Sequence, residues 1–305
     1  KGAPGVDKIL ADLGHSSLTR WERLVGSAGL GGVSLESIDS TVGVAADQLE
    51  VSQRFQFAQD MWQGRWLTAA EVQFRDTLSV SPDFAEAANN LGLVHATAGQ
   101  HDKAVAAYQR ALSVREDFAA GHMNLGLSLD ALGKSSAAQN SLLRALELDP
   151  ALPKVNDALG LLHAKRGDLP AAKQYFEKET EVNPDFAEGF NHLGLIYLSL
   201  NQAASALEPL RKAASLDSQN ADALNNLGLA CKRVGLLEEA GQAFENCVKV
   251  NPQFVPGLIN LGIFHIDTGN LAIAEQRLIQ ALNIQPGSTM ARRNLSRVRS
   301  MRTKK

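Results

Sequence analysis

The chain has 305 residues, 45% of them apolar and 21% charged, with a formal net charge of −3. That apolar share is sufficient for a continuous core and too high for a disordered chain. The charge balance gives no general attraction to nucleic acid or to anionic membranes, and no apolar run approaches the roughly 18 residues of a membrane span. The chain begins at Lys1 rather than Met, which reads as a processed, trimmed or partial sequence. A targeting signal removed before Lys1 therefore stays open, and cytoplasmic, periplasmic and secreted settings are not distinguished. Cys231 and Cys247 are too few for a disulfide framework, and both fall at apolar positions, so buried free thiols are expected.

Residues 1–50 fit no periodic pattern. Residues 6–13 and 17–25, the latter with Trp21 and Leu24, read as short helices, separated from the rest of the chain by a flexible break at 29–32. This segment is expected to be a helical extension capping the next element; the alternative is a docking element or the remnant of another domain.

From residue 51 the chain repeats itself every 34 residues. Leucine–glycine pairs stand at Leu91-Gly92, Leu125-Gly126, Leu159-Gly160, Leu193-Gly194, Leu227-Gly228 and Leu261-Gly262, and Leu295 continues the series before Ser296. A fixed period of this length without insertions points to stacked two-helix units rather than to a compact enzyme. Within 221–254, apolar residues at spacings of three and four (Leu224, Leu227, Gly228, Cys231) predict a helix over 222–233. Gly235 stops it, because glycine tolerates the left-handed conformation found just past helix ends. A second helix is predicted over 237–250, with Leu237, Ala240, Phe244, Cys247 and Val248 inward, ended by Asn251-Pro252. The stop position recurs as Gly99, Gly133, Gly167, Asn201, Gly235 and Gly269. A small residue in each second helix (Ala70, Ala104, Ala138, Ala172, Ala206, Ala240, Ala274) is followed four residues later by a bulky one (Phe74, Tyr108, Leu142, Phe176, Leu210, Phe244, Leu278). The glycine and alanine would let two helices approach while the bulky residue fills the space between them.

Leu-Gly in the first helix, Ala and a bulky residue in the second, and closing prolines at Pro82, Pro150, Pro184, Pro252 and Pro286 resemble the tetratricopeptide repeat. The resemblance implies an all-α, right-handed superhelical α-α solenoid of about seven such repeats, at 51–84, 85–118, 119–152, 153–186, 187–220, 221–254 and 255–288. The first repeat is looser, with Phe57-Ala58 in place of Leu-Gly, and residues 289–305 read as a basic capping helix. It also implies a non-catalytic scaffold that binds a protein or peptide segment in a groove lined by the first helices.

The candidate chemistry agrees with that. His95, His163 and His265 share one repeat position with Tyr197 and Cys231, but helices packed about 8–10 Å apart separate His95 from His163 by on the order of 20 Å, far beyond shared zinc ligation. These histidines are expected to be semi-buried and satisfied. Gly133-Lys134-Ser135 mimics the end of a phosphate loop, yet Ser128 stands where that loop needs glycine, and the setting is a helix–helix turn. No nucleophile elbow or glycosidase-like carboxylate pair appears. No enzyme activity, cofactor or metal is expected.

Just before each leucine lies the more informative series. The preceding residue is Asn90, Asn124, Ala158, His192, Asn226, Asn260 or Asn294; one earlier stand Asn89, Met123, Asp157, Asn191, Asn225, Ile259 and Arg293. These positions turn away from the core by about 100° per residue. The series resembles the asparagine ladder in the repeats of O-linked N-acetylglucosamine transferases, interrupted at Ala158 and His192. That resemblance implies a polypeptide gripped through its backbone, since a carboxamide both donates and accepts. The other reading is that the asparagines satisfy hydrogen bonds between helices. An aliphatic line, Leu93, Leu127, Leu161, Leu195, Leu229 and Ile263, is either core or the apolar floor of the groove. The candidate groove residues are Asn89, Asn90, Asn124, Asp157, Asn191, His192, Asn225, Asn226 and Asn260, with Lys232 and Arg233 as nearby cations. Substituting Glu at Asn226 or Asn260 is expected to weaken partner binding without unfolding the stack.

Arg292, Arg293, Arg297, Arg299, Arg302, Lys304 and Lys305 make the C-terminus basic, with no acid after Glu275. They either complement the negative end of the helix dipole or contact an acidic partner. Two alternative functions stay open. One is self-assembly into a homo-oligomer, tube or filament, which an acidic residue excess in 1–50 opposite this basic end would favour. The other is a regulatory repeat domain of a larger protein.

Overall fold

The structure is a computed structural model that describes residues 51–303. The readings of residues 1–50 and of Lys304 and Lys305 lie outside the described residues. Two compact units divide the chain at Leu152 and Pro153. All fifteen elements among the described residues are α-helices.

The first unit holds α1 (Val51–Gln63), α2 (Leu67–Val80), α3 (Ala85–Thr97), α4 (His101–Val114), α5 (Ala119–Ala131) and α6 (Ser135–Leu148). The second holds α7 (Val155–Lys165), α8 (Leu169–Val182), α9 (Ala187–Ser199), α10 (Ala203–Leu216), α11 (Ala221–Val234), α12 (Leu237–Val250), α13 (Val255–Asp267), α14 (Leu271–Ile284) and α15 (Thr289–Arg302). Odd-numbered helices up to α13 are the first members of the pairs and even-numbered helices the second.

Each pair from α3/α4 onward closes around the predicted glycine and bulky residue, and in α1/α2 the buried Ala58 takes the glycine's place. A Cβ placed on Gly228 would stand 2.6 Å from the Phe244 ring, and one on Gly160 would stand 2.7 Å from Phe176. Gly92 meets Tyr108, and Gly194 meets Leu210, still more tightly. The aligned alanines beside them, from Ala70 to Ala274, are fully buried. At these glycines a Cβ would collide with the bulky residue as it stands, which is why glycine stays in a helix interior despite its entropic cost of roughly 1 kcal/mol.

The turns follow the same economy. Gly235 has φ 86°, and the Leu236 N–H reaches back to the Cys231 carbonyl at 2.9 Å, closing α11 in the manner of a Schellman motif. Asn201 takes this role between α9 and α10 with φ 59°, and Arg65 does so between α1 and α2 with φ 62°. Asn251, before Pro252, is extended, as the residue preceding proline must be.

The second unit opens differently from the other pairs. Pro153 precedes Lys154, whose φ of 71° is left-handed, and α7 starts only at Val155. The Glu179 side chain of α8 takes over the capping: its carboxylate accepts from the Lys154 N–H at 2.7 Å, the Asp157 N–H at 3.2 Å and the Asn183 side-chain amide at 3.3 Å. Glu179 is fully buried. A carboxylate that satisfies orphan N–H groups at a helix start is also favoured by the helix dipole.

At the other end, α15 buries Ala291, Leu295 and Val298 on the last pair. Arg299 and Arg302 both pair with Glu275 of α14, and Arg297 lies 3.7 Å from Asp267 of α13. Those two arginines hold the Glu275 carboxyl below its ordinary range. Much of the basic character of this helix is therefore spent on acids of its own unit.

Two expectations are corrected. Leu237 is 50% exposed, because it is the first residue of α12 and stands a turn beyond the packed layer made by Ala240, Phe244, Cys247 and Val248. The shared-position histidines are not all satisfied. His163 has Asp168 Oδ2 3.1 Å from its Nδ1, but Nδ1 of His95 and Nδ1 of His265 are buried without a hydrogen-bond partner. Both residues are buried, and at His95 the nearest carboxylate oxygen, on Glu71, stands 4.0 Å from Nδ1, too far to bond. Cys231 and Cys247 are buried free thiols, and burial pushes them up to about 11 and about 12.

Candidate functional site

Looking along the first helices, the residues singled out beside the leucines form hydrogen-bonded pairs between successive first helices. Asn124 of α5 donates its amide to Asn89 of α3 at 2.9 Å, and Asn89 in turn donates to Asn90 at 3.3 Å. In the second unit, Asn226 of α11 donates to Asn191 of α9 at 2.9 Å, and Asn260 of α13 donates to Asn225 of α11 at 2.8 Å. His192 of α9 sits with Nδ1 2.7 Å from Asp157 of α7. Each link joins the residue before one leucine to the residue two before the preceding leucine.

The pairing explains the interruptions. Where one partner is His192, the other is Asp157 rather than asparagine, so the link persists with different chemistry. At Ile259 the acceptor is absent, and Asn294 turns to the Met290 carbonyl of its own helix at 2.9 Å. The register at residues 123 and 158 carries Met and Ala, neither of which has a polar side chain.

Asn89, Asn90, Asn124, Asp157, Asn191, Asn225 and Asn226 are buried, and His192 and Asn260 are half-buried. A carboxamide has two donor hydrogens and an acceptor oxygen, so one ladder bond uses only part of its capacity. Among the described residues, the sealed and unpartnered side-chain atoms belong to Gln73, His95, His101, Arg115, His265 and Arg277, none of them in the ladder. The remaining ladder amide atoms are thus partnered or reach the surface. The aliphatic line borders them: Leu127 is 46% and Leu195 44% exposed, while Leu93, Leu161, Leu229 and Ile263 are half-buried. Exposure of this kind gives the face apolar contacts beside its polar edge.

Both nearby cations are engaged. Lys232 pairs with Asp267 at 2.7 Å, and Arg233 donates to the Leu198 carbonyl at 2.7 Å. They brace successive first helices, and a ligand carboxylate would have to displace one of these partners. Among the described residues no group of three or more His, Cys, Asp or Glu side chains could hold a metal ion.

Sequence reading passed over Glu179, although a signal was present. At its register the other second helices carry Thr77, Ala111, Ala145, Ala213, Cys247 and Ala281, so a carboxylate there is out of place in an apolar crossing. It holds the start of α7 and thereby places Asp157, which bonds His192.

Family models described as tetratricopeptide repeat match residues 85–118, 119–152 and 221–254, and one described as TPR repeat matches residues 194–235. Solved structures similar to the chain share this fold. YrrB, a TPR protein with an unusual peptide-binding site, is 24% identical with a TM-score of 0.53, over 60% of this chain and 95% of its own. Pseudomonas aeruginosa pilF is 18% identical with a TM-score of 0.64, over 70% of this chain and 97% of its own. The APC/C hetero-tetramer Cut9-Hcn1 is 15% identical with a TM-score of 0.64; the match covers 92% of this chain but only 52% of that one. A search of curated proteins finds no match.

Proposed function

We propose that this chain, a tetratricopeptide-repeat protein, is a non-catalytic scaffold that holds an extended or helical protein segment against the first-helix face of its second unit. The observation that carries the reading is the juxtaposition there of partly used carboxamides, at Asn191, Asn225, Asn226 and Asn260, with the exposed Leu195 and the half-exposed Leu229 and Ile263. Polar edges beside an apolar strip suit a segment held through its backbone and a few apolar side chains. Similarity to YrrB, whose structure is described as having a peptide-binding site, is in keeping with a peptide ligand. Among the described residues no helix is long and apolar enough to cross a membrane.

Pairing within the ladder changes the variant that tests this. Glu at residue 226 would set a carboxylate against the Asn191 oxygen, so its effect on binding could not be separated from its effect on the stack. Leu195→Glu is cleaner, because that side chain is already 44% exposed. A random peptide library displayed on phage, selected against the whole chain, supplies the ligand. Its affinity is expected to fall at least tenfold for Leu195→Glu with an unchanged circular dichroism spectrum. Unchanged affinity, or failure to select any binder, would sink the proposal.

A further inference from the structure

The described residues hold a second cleft, away from the first-helix face. It lies in the first unit, in the seam between α2 and α4 with α3 as its floor, and has a volume of about 520 Å³. Glu71, Arg75, Leu78 and Ser79 line it from α2, Leu91 and His95 from α3, and Lys103, Ala106, Ala107 and Arg110 from α4.

Three features of its chemistry point the same way. The charged lining is three cations, Arg75, Lys103 and Arg110, against the single carboxylate of Glu71. Glu71 neutralises little of that charge: Arg75 Nη1 is 3.5 Å from it, and the Arg75 side chain is 69% exposed. At the base, the His95 side chain is only 8% exposed and its Nδ1 has no hydrogen-bond partner; the nearest carboxylate oxygen, on Glu71, is 4.0 Å away. A buried polar atom left unmatched costs about 1–3 kcal/mol, and the cleft opens over the ring that carries it. Burial lowers the His95 pKa, and the Glu71 carboxylate works against that shift.

The cations are spread along the cleft rather than gathered at a point. Arg110 is held at one end, where its guanidinium donates to the Leu78 carbonyl at 3.4 Å and the Pro82 carbonyl at 3.2 Å. Lys103 lies seven residues earlier on the same helix, on the order of 10 Å away along its axis. That spacing matches two acidic side chains about three residues apart on an extended chain, at roughly 3.3 Å per residue.

We infer that this seam is a second recognition site, for a short acidic protein segment whose carboxylates pair with Arg75 and Lys103 at one end and Arg110 at the other, over the His95 imidazole. The seam belongs to the first unit and the proposed segment-binding face to the second, and the two are made of different residues. A corresponding cleft lies three repeats along, in the seam of α8 and α10, but its chemistry is different. There Tyr197 takes the place of His95 and donates to Glu177 at 2.7 Å, so its floor is already satisfied.

The test is a titration of the whole chain, labelled with ¹⁵N in histidine, with a hexaglutamate peptide. The His95 ring resonance is assigned by its disappearance in His95→Asn. The resonance is expected to move on titration with hexaglutamate and to stay fixed with hexalysine. The double variant Arg75→Glu/Lys103→Glu should weaken binding at least tenfold, since both side chains are exposed and their loss leaves the core intact. Arg293→Glu on α15 should leave affinity within twofold. The inference fails if hexaglutamate does not move the His95 resonance. It fails equally if the double variant binds as well as the parent, or if inorganic phosphate competes at the same molar concentration as the peptide, which would make the seam a single-ion site.

Discussion

The seam of α2 and α4 in the first unit and the seam of α8 and α10 in the second are built on one repeat register and both carry more cations than carboxylates, yet their floors differ. In the first, the residue three past the Leu-Gly glycine is His95, its Nδ1 is unmatched, and cations surround the opening. In the second, the residue is Tyr197, its hydroxyl is bonded to Glu177, and burial together with that bond raises it to about 12. The backbone is a template that tolerates either outcome. The two seams differ in a handful of side chains that the fold accepts at one register, and the proposed recognition would rest on that difference.

The sharpest way to break the comparison is to damage one unit and watch the other. Gly92→Val and Gly194→Val each add bulk where a Cβ already collides with Tyr108 or Leu210. Overpacking of this kind costs about 3 kcal/mol. Because a repeat touches mainly its neighbours, the damage is expected to stay local. All three tryptophans, Trp21, Trp62 and Trp66, precede residue 153, so tryptophan fluorescence reports the first unit while circular dichroism reports both. In urea, Gly92→Val should shift the fluorescence transition, and Gly194→Val should shift only the dichroism. Coincident shifts by both probes in both variants would show the two units unfolding as one.

Next in size is Glu179→Gln. The second unit depends on this carboxylate for the start of α7, a device the first unit does not use. The substitution keeps the shape but replaces one accepting oxygen by a donor that faces either the Lys154 N–H, now at 2.7 Å, or the Asp157 N–H, now at 3.2 Å. A lost charge-assisted bond of this type costs about 1.5–3 kcal/mol. Amide exchange should quicken at residues 154–158 in the second unit and stay unchanged in 85–97 of the first. Equal exchange in both would show that the capping contributes nothing.

Most of the fold could be read from the sequence because its determinants are local and repeated. Gly228 against Phe244, the left-handed Gly235 and the extended Asn251 before Pro252 each announce themselves within one period. The ladder was only half legible. The sequence showed Asn191, Asn226, Asn225 and Asn260 on one helix face, but their pairing spans 35 residues and emerges only when consecutive first helices are set side by side. For the same reason His192 looked like an interruption, whereas it keeps the link through Asp157. Glu179 stands out in the sequence only as a carboxylate at an otherwise uncharged register, with its partners hidden, and the unmatched nitrogens of His95 and His265 escaped because burial and partnership are three-dimensional facts.

The smallest effect concerns those histidines and pH. Burial lowers the pKa of His95 and of His265 from the ordinary value of 6.5, so the folded chain favours the neutral ring. Their contribution to stability is complete above pH 6.5 and declines as pH falls toward the folded-state values, because the unfolded chain takes up protons first. The melting temperature should therefore drop between pH 7 and pH 5.5. His95→Leu borrows the residue that holds this register at Leu129 in the next repeat. It should remove part of that drop, under about 2 °C, and leave the melting temperature at pH 8 equal or higher. The same exchange in the second unit, His265→Leu, should act alike, whereas a change at Tyr197 should leave the acid limb untouched, since its hydroxyl does not titrate there. An acid limb that survives both histidine substitutions would assign it to carboxylates such as Glu239, whose pKa is lowered by Arg211 and whose contribution is lost at still lower pH.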